Sequence, residues 1–538
     1  MSILGEEVIA MQLAKLGVQH VFGVVGIPVV GFSQACQRAG VHFYSLRNEQ
    51  AASYAAATYG YLTGRPGVCL CVSGPGVVHA LAGVANAQVN AWPMILLGGS
   101  HKAPDNYRGA FQEGPPSHQL MVAPFVKFAA TPVDFAHMAF SLTKAHAAAL
   151  GGRPGAAYIE LHESLLTMPI TAEMLASAGA DASATETPAA GASAHSAAAA
   201  AVAVAAVSMR SLPLQWLPRP LPVLAGQAAP AAVFSAAALL ASARRPLLML
   251  GKGACASAAA PAAVRALVDR LSLPFLPAPM AKGLLPDDDA FCAGAARSLA
   301  LARADIIVLA GTRLNWMLRH GAVFAPGARV IQIDVSAEEL GLLVAARGHH
   351  APPPAADMAE ADVALVGDVG LVLAQLSAAL TPGAVASTAA ARVEWAAAVR
   401  SKAVSARAAV DRKIAADLAR SGSLTKGSSS KGLSHKGAEM MGYHAALGVV
   451  AAALPRDAVL VSEGANTMDM TRLIVPSFLP RRRLDAGTFA TMGPSLGAVM
   501  AAHVAYGGDD ACCGDAAVAA GAAAAAAAPV VVGVFGDS

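Results

Sequence analysis

One carboxylate stands out for its setting. Glu49 lies within VHFYSLRNEQAASYAAATYGY (Val41–Tyr61), where an alternating opening (Val41, Phe43, Ser45) gives way to an Ala-rich run free of Gly and Pro until Gly60. The opening reads as a short strand and the run as a helix. Glu49 then falls in the first helical turn, where the helix dipole favours a negative charge. Buried there, its carboxyl group would hold a proton more tightly and exchange it near neutral pH. The competing reading is a solvated helix-start charge, which needs no chemistry. Ser73-Gly74-Pro75-Gly76 follows the apolar run VCLCV. Its glycines let backbone approach a ligand closely, although many tight turns share that spelling. Asp334 ends the strand-like Val330–Ile333 and is placed either to accept hydrogen bonds from a ribose or to cap the next helix. Gly251-Lys252-Gly253 is too short for a full dinucleotide fingerprint. His79, His101 and His118 have no mutual ligand spacing and read as non-metal residues.

The elements that must position these residues alternate strand with helix. Glu6–Leu16 has helical periodicity, Val18–Val25 reads as a strand, and Gly26-Ile27-Pro28 is a turn. Val68–Val72 and Met94–Leu97 are short apolar strands separated by a helix through Ala87. The alternation predicts α/β architecture, parallel sheets with helices on both faces, and ligands at the carboxyl ends of strands. A second such unit contains strands at Pro246–Leu250, Ala304–Leu309 and Val330–Ile333, and a third starts near Tyr443.

Length and composition bound the rest. A chain of 538 residues exceeds one core and implies two to four domains. No run of about 18 large apolar residues occurs, so no membrane span is expected. A formal net charge of +3 gives no argument for nucleic acid. The seven cysteines include no Cys-x-x-Cys pair, which fits a reducing compartment without structural zinc. The opening MSILGEEVIA carries two Glu and no basic region, so no signal or transit peptide is expected.

Arg47-Asn48-Glu49-Gln50-Ala51-Ala52, Gly60-Tyr61, Gly67-Val68 and Ser73-Gly74-Pro75-Gly76 together resemble the pyrimidine-binding domain of thiamine-diphosphate enzymes. The resemblance implies that Glu49 hydrogen-bonds N1′ of the cofactor's aminopyrimidine, favouring the imino tautomer that deprotonates the thiazolium C2 to an ylid. It places Ser73, Gly74 and Gly76 against the cofactor. Ala110-Phe111-Gln112-Glu113 is similar to a segment of acetolactate-synthase-like enzymes and 2-hydroxyacyl-CoA lyases, which sets Gln112 at the reacting carbon. Met280-Ala281-Lys282-Gly283, Ala296-Arg297-Ser298 and Gly311-Thr312-Arg313-Leu314-Asn315-Trp316 resemble the central domain of 2-hydroxyacyl-CoA lyases and oxalyl-CoA decarboxylases, which binds CoA or ADP. Lys282, Arg297, Arg313, Asp334 and Arg472 are the corresponding candidates here, the cations for phosphate. SEGANTMD (Ser462–Asp469) and LDAGTFATMG (Leu484–Gly493) resemble the diphosphate-binding domain of the lyases. Asn466, Thr491, Met492 and Gly536 are thereby cofactor contacts, Met492 being the wedge that bends the cofactor, and Asp537 is a Mg²⁺ ligand.

The implied protein has three doubly wound domains: residues 1–170 for pyrimidine binding, 233–385 for CoA or nucleotide, and 441–538 for diphosphate. Residues 171–232 form an Ala-rich linker insertion, and residues 386–440 a helical then Gly/Ser/Lys-rich linker. The implied reaction cleaves a 2-hydroxyacyl-CoA to formyl-CoA and an aldehyde. Oxalyl-CoA decarboxylase is the first alternative, but those enzymes carry Tyr-Glu in place of Gln112-Glu113. Acetolactate synthase shares AFQE and lacks SEGANTMD. A non-catalytic, nucleotide-binding regulatory subunit is the reading from another class. The resemblance further implies a homodimer or homotetramer with active sites shared between chains, and a peroxisomal location. Val530–Phe535 reads as a buried-type strand, and the expectation is that Gly536-Asp537-Ser538 opens a metal motif cut short, so that the chain is a fragment.

Overall fold

The computed structural model describes residues 3–101, 111–112, 118–170, 225–340, 363–424, 441–507 and 528–536. The chain divides into two compact units: Met1–Leu224 with Phe489–Gly521, and Ala225–Thr488 with Ala522–Ser538. Among the described residues, no helix is long and apolar enough to cross a membrane.

The first unit is organised by a six-stranded sheet. Its chain order is β1 (Ile3–Leu4), α1 (Gly5–Lys15), β2 (His20–Gly23), α2 (Val30–Arg38), β3 (His42–Ser45), α3 (Glu49–Thr63), β4 (Gly67–Cys71), α4 (Pro75–Asn90) and β5 (Met94–Ser100). It continues with α5 (His118–Val122), β6 (Phe128–Ala130), α6 (Phe135–Leu150), β7 (Ala156–His162) and β8 (Pro169–Ile170). The six strands run β3-β2-β4-β5-β7-β6, every pair parallel, while β1 and β8 pair antiparallel apart from them. β4 and β5 are buried along their whole length, which explains their unbroken apolar text. Val68, Leu70, Ile95 and Leu97 point into a core shared with α1, α2 and α6. The alternate residues Cys69, Cys71, Met94 and Leu96 are equally buried on the opposite face, where α3 and α4 pack.

Strand order decides where a ligand fits. From β2 the chain steps outward to β3 and then crosses back to β4 on the other side. That reversal is the switch point of an open parallel sheet, the place where the loops diverge and leave a crevice. Glu49 follows β3 and Ser73 follows β4, so they flank it.

The second unit contains a five-stranded parallel sheet, β10-β9-β11-β12-β13, from β9 (Pro246–Leu250), β10 (Phe275–Pro277), β11 (Ile306–Ala310), β12 (Arg329–Asp334) and β13 (Val363–Val366). It also contains a three-stranded parallel sheet, β15-β14-β16, from β14 (Val459–Glu463), β15 (Arg483–Leu484) and β16 (Val531–Phe535). Both sheets reverse direction beside their first strand, so each has its own switch point. A single 36-residue helix, Ala389–Leu424, occupies most of the expected helical linker. The expected Ala-rich insertion lies mainly outside the described residues, but its last three positions belong to the helix Pro230–Ser242, which proline starts by supplying a preset φ at the first turn. One strand departs from expectation. β16 is not buried: it pairs only with β14 among the described residues, at the sheet edge, and Phe535 is 51% exposed. An apolar run alone does not tell a central strand from an edge strand.

Candidate active site

Glu49 is the first residue of α3. Asn48 caps the helix, its Oδ1 accepting the N–H groups of Gln50 at 2.8 Å and Ala51 at 3.2 Å. The cap fixes the direction in which the Glu49 side chain leaves the helix. That side chain is only 13% exposed, and its Oε2 lies 3.2 Å from Nδ1 of His79, in the second turn of α4. His79 has no ligand spacing in the chain; its partnership with Glu49 arises because α3 and α4 pack side by side.

At the neighbouring strand end, Ser73 is 2% exposed and its carbonyl accepts the Gly76 N–H at 3.3 Å. Gly74 has φ 55° and ψ −108°, a conformation open to glycine and closed to residues with a Cβ. The turn therefore presents backbone, not side chain, to the crevice, and Pro75 starts α4 beyond it.

Gln112 carries two marks of a functional position. Its φ is +58°, in the left-handed region, and its Oε1 is buried with no hydrogen-bond partner among the described residues. Backbone strain and an unsatisfied buried acceptor both cost stability and persist where a site requires them. The preceding Phe111 carbonyl meets His101 Nε2. Gly109, Ala110 and Glu113 lie outside the described residues.

Thr491 and Met492 come from the far end of the chain, yet belong to the same unit as Glu49. The helix Ser495–Ala505 packs on α3, and Thr491 Oγ1 lies 3.3 Å from the hydroxyl of Tyr54, a residue of α3. Met492 is 49% exposed.

In the second unit, the three-stranded sheet brings Asn466 and Gly536 to one switch point. Asn466 is exposed in the first turn of Ala465–Ile474, after β14, and Gly536 follows β16. A Cβ on Gly536 would stand 1.8 Å from Thr467 Oγ1, and one on Gly464 2.6 Å from the Gly536 carbonyl. Only glycine permits this approach, which draws the last described loop onto the helix N-terminus. Asp537 lies outside the described residues. Among the described residues, no group of three or more His, Cys, Asp or Glu could hold a metal ion.

The basic candidates are differently placed. Lys282 Nζ donates to the Arg472 carbonyl at 2.7 Å and pairs with Asp287 at 3.0 Å. Burial lowers its proton affinity more than Asp287 restores it. Arg472 bonds Asp485 at 3.0 Å and Asp469 at 2.7 Å. Beside them Arg483 is fully buried and pushed down to about 10 by that burial, with Asp485 and Asp287 opposing the shift. Arg297 and Arg313 retain solvent access, bonding the Met317 carbonyl at 2.6 Å and Thr488 at 3.1 Å. Asp334 Oδ1 accepts the Ser336 N–H at 3.0 Å, a local turn contact.

These residues fit thiamine diphosphate. In the first unit a largely covered carboxylate can hydrogen-bond a ring nitrogen and Gln112 offers an amide oxygen with no partner among the described residues; in the second, taken by itself, the Gly464–Gly536 approach leaves backbone at a helix start suited to phosphate.

Comparison with known proteins identifies the family. Residues 3–120 match the N-terminal TPP binding domain of thiamine pyrophosphate enzymes, and residues 233–376 match the central domain of those enzymes. The chain is 37% identical to human 2-hydroxyacyl-CoA lyase 1 over 506 residues, 93% of this chain and 74% of the human protein. It is 35% identical to rice 2-hydroxyacyl-CoA lyase over 518 residues, 94% of this chain and 76% of the rice protein. Oxalyl-CoA decarboxylase of Escherichia coli K12 is 31% identical over 509 residues, 94% of this chain and 76% of that enzyme. The chain therefore belongs to the family of thiamine pyrophosphate enzymes that includes the 2-hydroxyacyl-CoA lyases.

Proposed function

We propose that this protein is a thiamine-diphosphate-dependent carbon–carbon lyase that cleaves a 2-hydroxyacyl-CoA into formyl-CoA and an aldehyde one carbon shorter. The observation that carries the choice over decarboxylation is Gln112, with its left-handed backbone and its buried amide oxygen that has no partner among the described residues. The greater identity to lyases than to the decarboxylase supports the same reading.

When bound, the cofactor supplies a nucleophilic carbon and a sink for the electron pair of the broken bond. The protein's part is positional and electrostatic. Glu49 holds a proton at the aminopyrimidine N1′, with His79 fixing its second oxygen. The Ser73–Gly76 backbone and Thr491 would hold the pyrimidine, and the Met492 side chain would pack against the cofactor. Gln112 meets the substrate oxygens where charge develops. In the reaction the C1–C2 bond breaks, the 2-hydroxyl gives up its proton to leave an aldehyde, and C1 takes up a proton to leave as formyl-CoA.

Asn466, Gly536 and Asp537 are proposed to hold the diphosphate and a Mg²⁺ ion, which needs about six oxygen ligands. Arg297 and Arg313 are the proposed CoA-phosphate contacts and Asp334 the proposed ribose contact. The same reading extends to a homodimer or homotetramer and to a peroxisomal location, on resemblance alone. Light scattering coupled to assay, and fluorescence localisation of the tagged protein, test those two points. The main test incubates the protein, thiamine diphosphate and Mg²⁺ with a 2-hydroxyacyl-CoA or with oxalyl-CoA. Aldehyde and formyl-CoA from the first are expected; CO₂ from the second alone would assign the decarboxylase.

A further inference from the structure

Behind the Ser73–Gly76 turn lies a buried pair that the proposed reaction does not use. The Gly74 N–H donates to His118 Nε2 at 3.0 Å, and His118 Nδ1 lies 3.4 Å from Glu160 Oε1. The two side chains are 7% and 8% exposed. A ring nitrogen that accepts a hydrogen bond carries no proton, so in the neutral ring the proton sits on Nδ1, facing Glu160. The other carboxylate oxygen, Oε2, lies 3.0 Å from Thr131 Oγ1. Burial opposes the Glu160 charge, but His118, Thr131 and His162 outweigh it and hold the carboxyl below its usual range. A carboxylate at the end of β7 thus orients an imidazole at the start of α5, and the imidazole accepts from one backbone amide at the end of β4.

That amide is the one with most freedom to turn. Gly74 has no Cβ to restrict it, and the turn in which it sits has two glycines. Its N–H is buried, so its orientation depends on having an acceptor.

We propose that His118, oriented by Glu160, is a positioning residue that locks the Gly74 peptide in the conformation that the cofactor's pyrimidine meets. The inference rests on the thiamine-diphosphate reading above. A side chain without an acceptor would leave the Gly74 N–H to seek another partner by rotating, and the backbone surface offered to the ligand would change with it.

The test compares His118→Leu, which removes the acceptor, with His118→Gln, whose amide oxygen can take the place of Nε2. In the full chain without cofactor, backbone hydrogen exchange is followed in peptides covering residues 70–80. Thiamine diphosphate affinity is measured by calorimetry in the presence of Mg²⁺. His118→Leu is expected to speed exchange in that segment and to weaken cofactor binding about tenfold, the loss of roughly one hydrogen bond. His118→Gln is expected to restore most of both. Should His118→Leu fail to fold, Glu160→Gln, which keeps the acceptor but releases its orientation, is expected to shift both readouts the same way by less. Unchanged exchange at residues 70–80, or equal behaviour of the Leu and Gln variants, overturns the proposal. If the unaltered chain binds no thiamine diphosphate, the cofactor reading falls, and the exchange comparison alone decides whether His118 holds Gly74.

Discussion

The switch points of the six-stranded and five-stranded sheets are laid out alike and finished differently. In the first, Glu49 and the Ser73–Gly76 turn flank the reversal, and Gln112, in the segment after β5, has a buried oxygen with no partner among the described residues. In the second, the carboxyl ends of β9 and β11 close on one another: the Gly253 N–H donates to the Gly311 carbonyl at 3.1 Å, and the Gly251 N–H to that of Ala310 at 2.9 Å. Lys282, which the resemblance aimed at phosphate, is committed to Asp287 and to the Arg472 carbonyl. One topology therefore carries a candidate crevice in one sheet and, in the other, strand ends tied by backbone hydrogen bonds and an ion pair. Where the loops satisfy one another, the same charges hold the fold together.

The comparison breaks most readily at Glu49. Glu49→Gln cannot hand a proton to N1′, and a loss on the order of 10²–10⁴ in C2 deuterium exchange of bound cofactor is expected, with the melting temperature little changed. Exchange at the unaltered rate would remove Glu49 from the mechanism. Gln112→Ala comes next. Losing one contact to a developing charge is expected to cost roughly 2–4 kcal/mol, or about 10²–10³ in kcat, while cofactor affinity stays close to normal. A strained position relieved without loss of turnover would make Gln112 merely structural.

On the other side of the comparison, Lys282→Met should act on stability. It strands Asp287 and is expected to cost about 3 kcal/mol, most of it recovered in Lys282→Met/Asp287→Leu. Urea unfolding measures both. A normal midpoint with a raised KM for the acyl-CoA would return Lys282 to the phosphate-binding role.

The first sheet also carries an acid-sensitive point beneath its crevice. His20 on β2 packs against Tyr44 and Tyr59, and its pKa is pushed down to about 4 by burial and then by His42. Its folded-state pKa lies below the ordinary 6.5, so the unfolded chain binds its proton first. Stability is then complete above pH 6.5 and falls as the pH drops from 6.5 to about 4. His20→Phe should flatten that limb in unfolding curves recorded against pH. The smallest effect is expected at Arg313→Ala: about tenfold in the KM for the acyl-CoA, near 1.4 kcal/mol, with kcat unchanged. No change in KM would make the whole central sheet structural with respect to CoA.

How much of this was legible in the sequence differs by type of feature. The strand Pro246–Leu250 has the bounds expected of it, and β4, β5 and β12 differ from expectation by a residue or a few at their ends. Apolar runs between turn residues fix strands because burial on both faces leaves no alternation to misread. Glu49 was legible because a carboxylate at a strand-to-helix seam is local text. The edge position of β16 was not, since an apolar run looks the same at the centre and at the rim.

By itself, then, the sequence determined the parallel α/β architecture and the membership of the family, and it named the candidates for the chemistry, because all three reside in short contiguous stretches. Only the tertiary structure decided which of those residues are open and which are spent. The spacing from Lys282 to Asp287 does not announce an ion pair, nor does that from Gly74 to His118 and Glu160 announce a relay. His79 meets Glu49 only because two helices lie on one face of a sheet. The longest of these pairings, Gly74 with His118, joins residues 44 positions apart and is set by strand order and helix packing, which no local window of the chain contains.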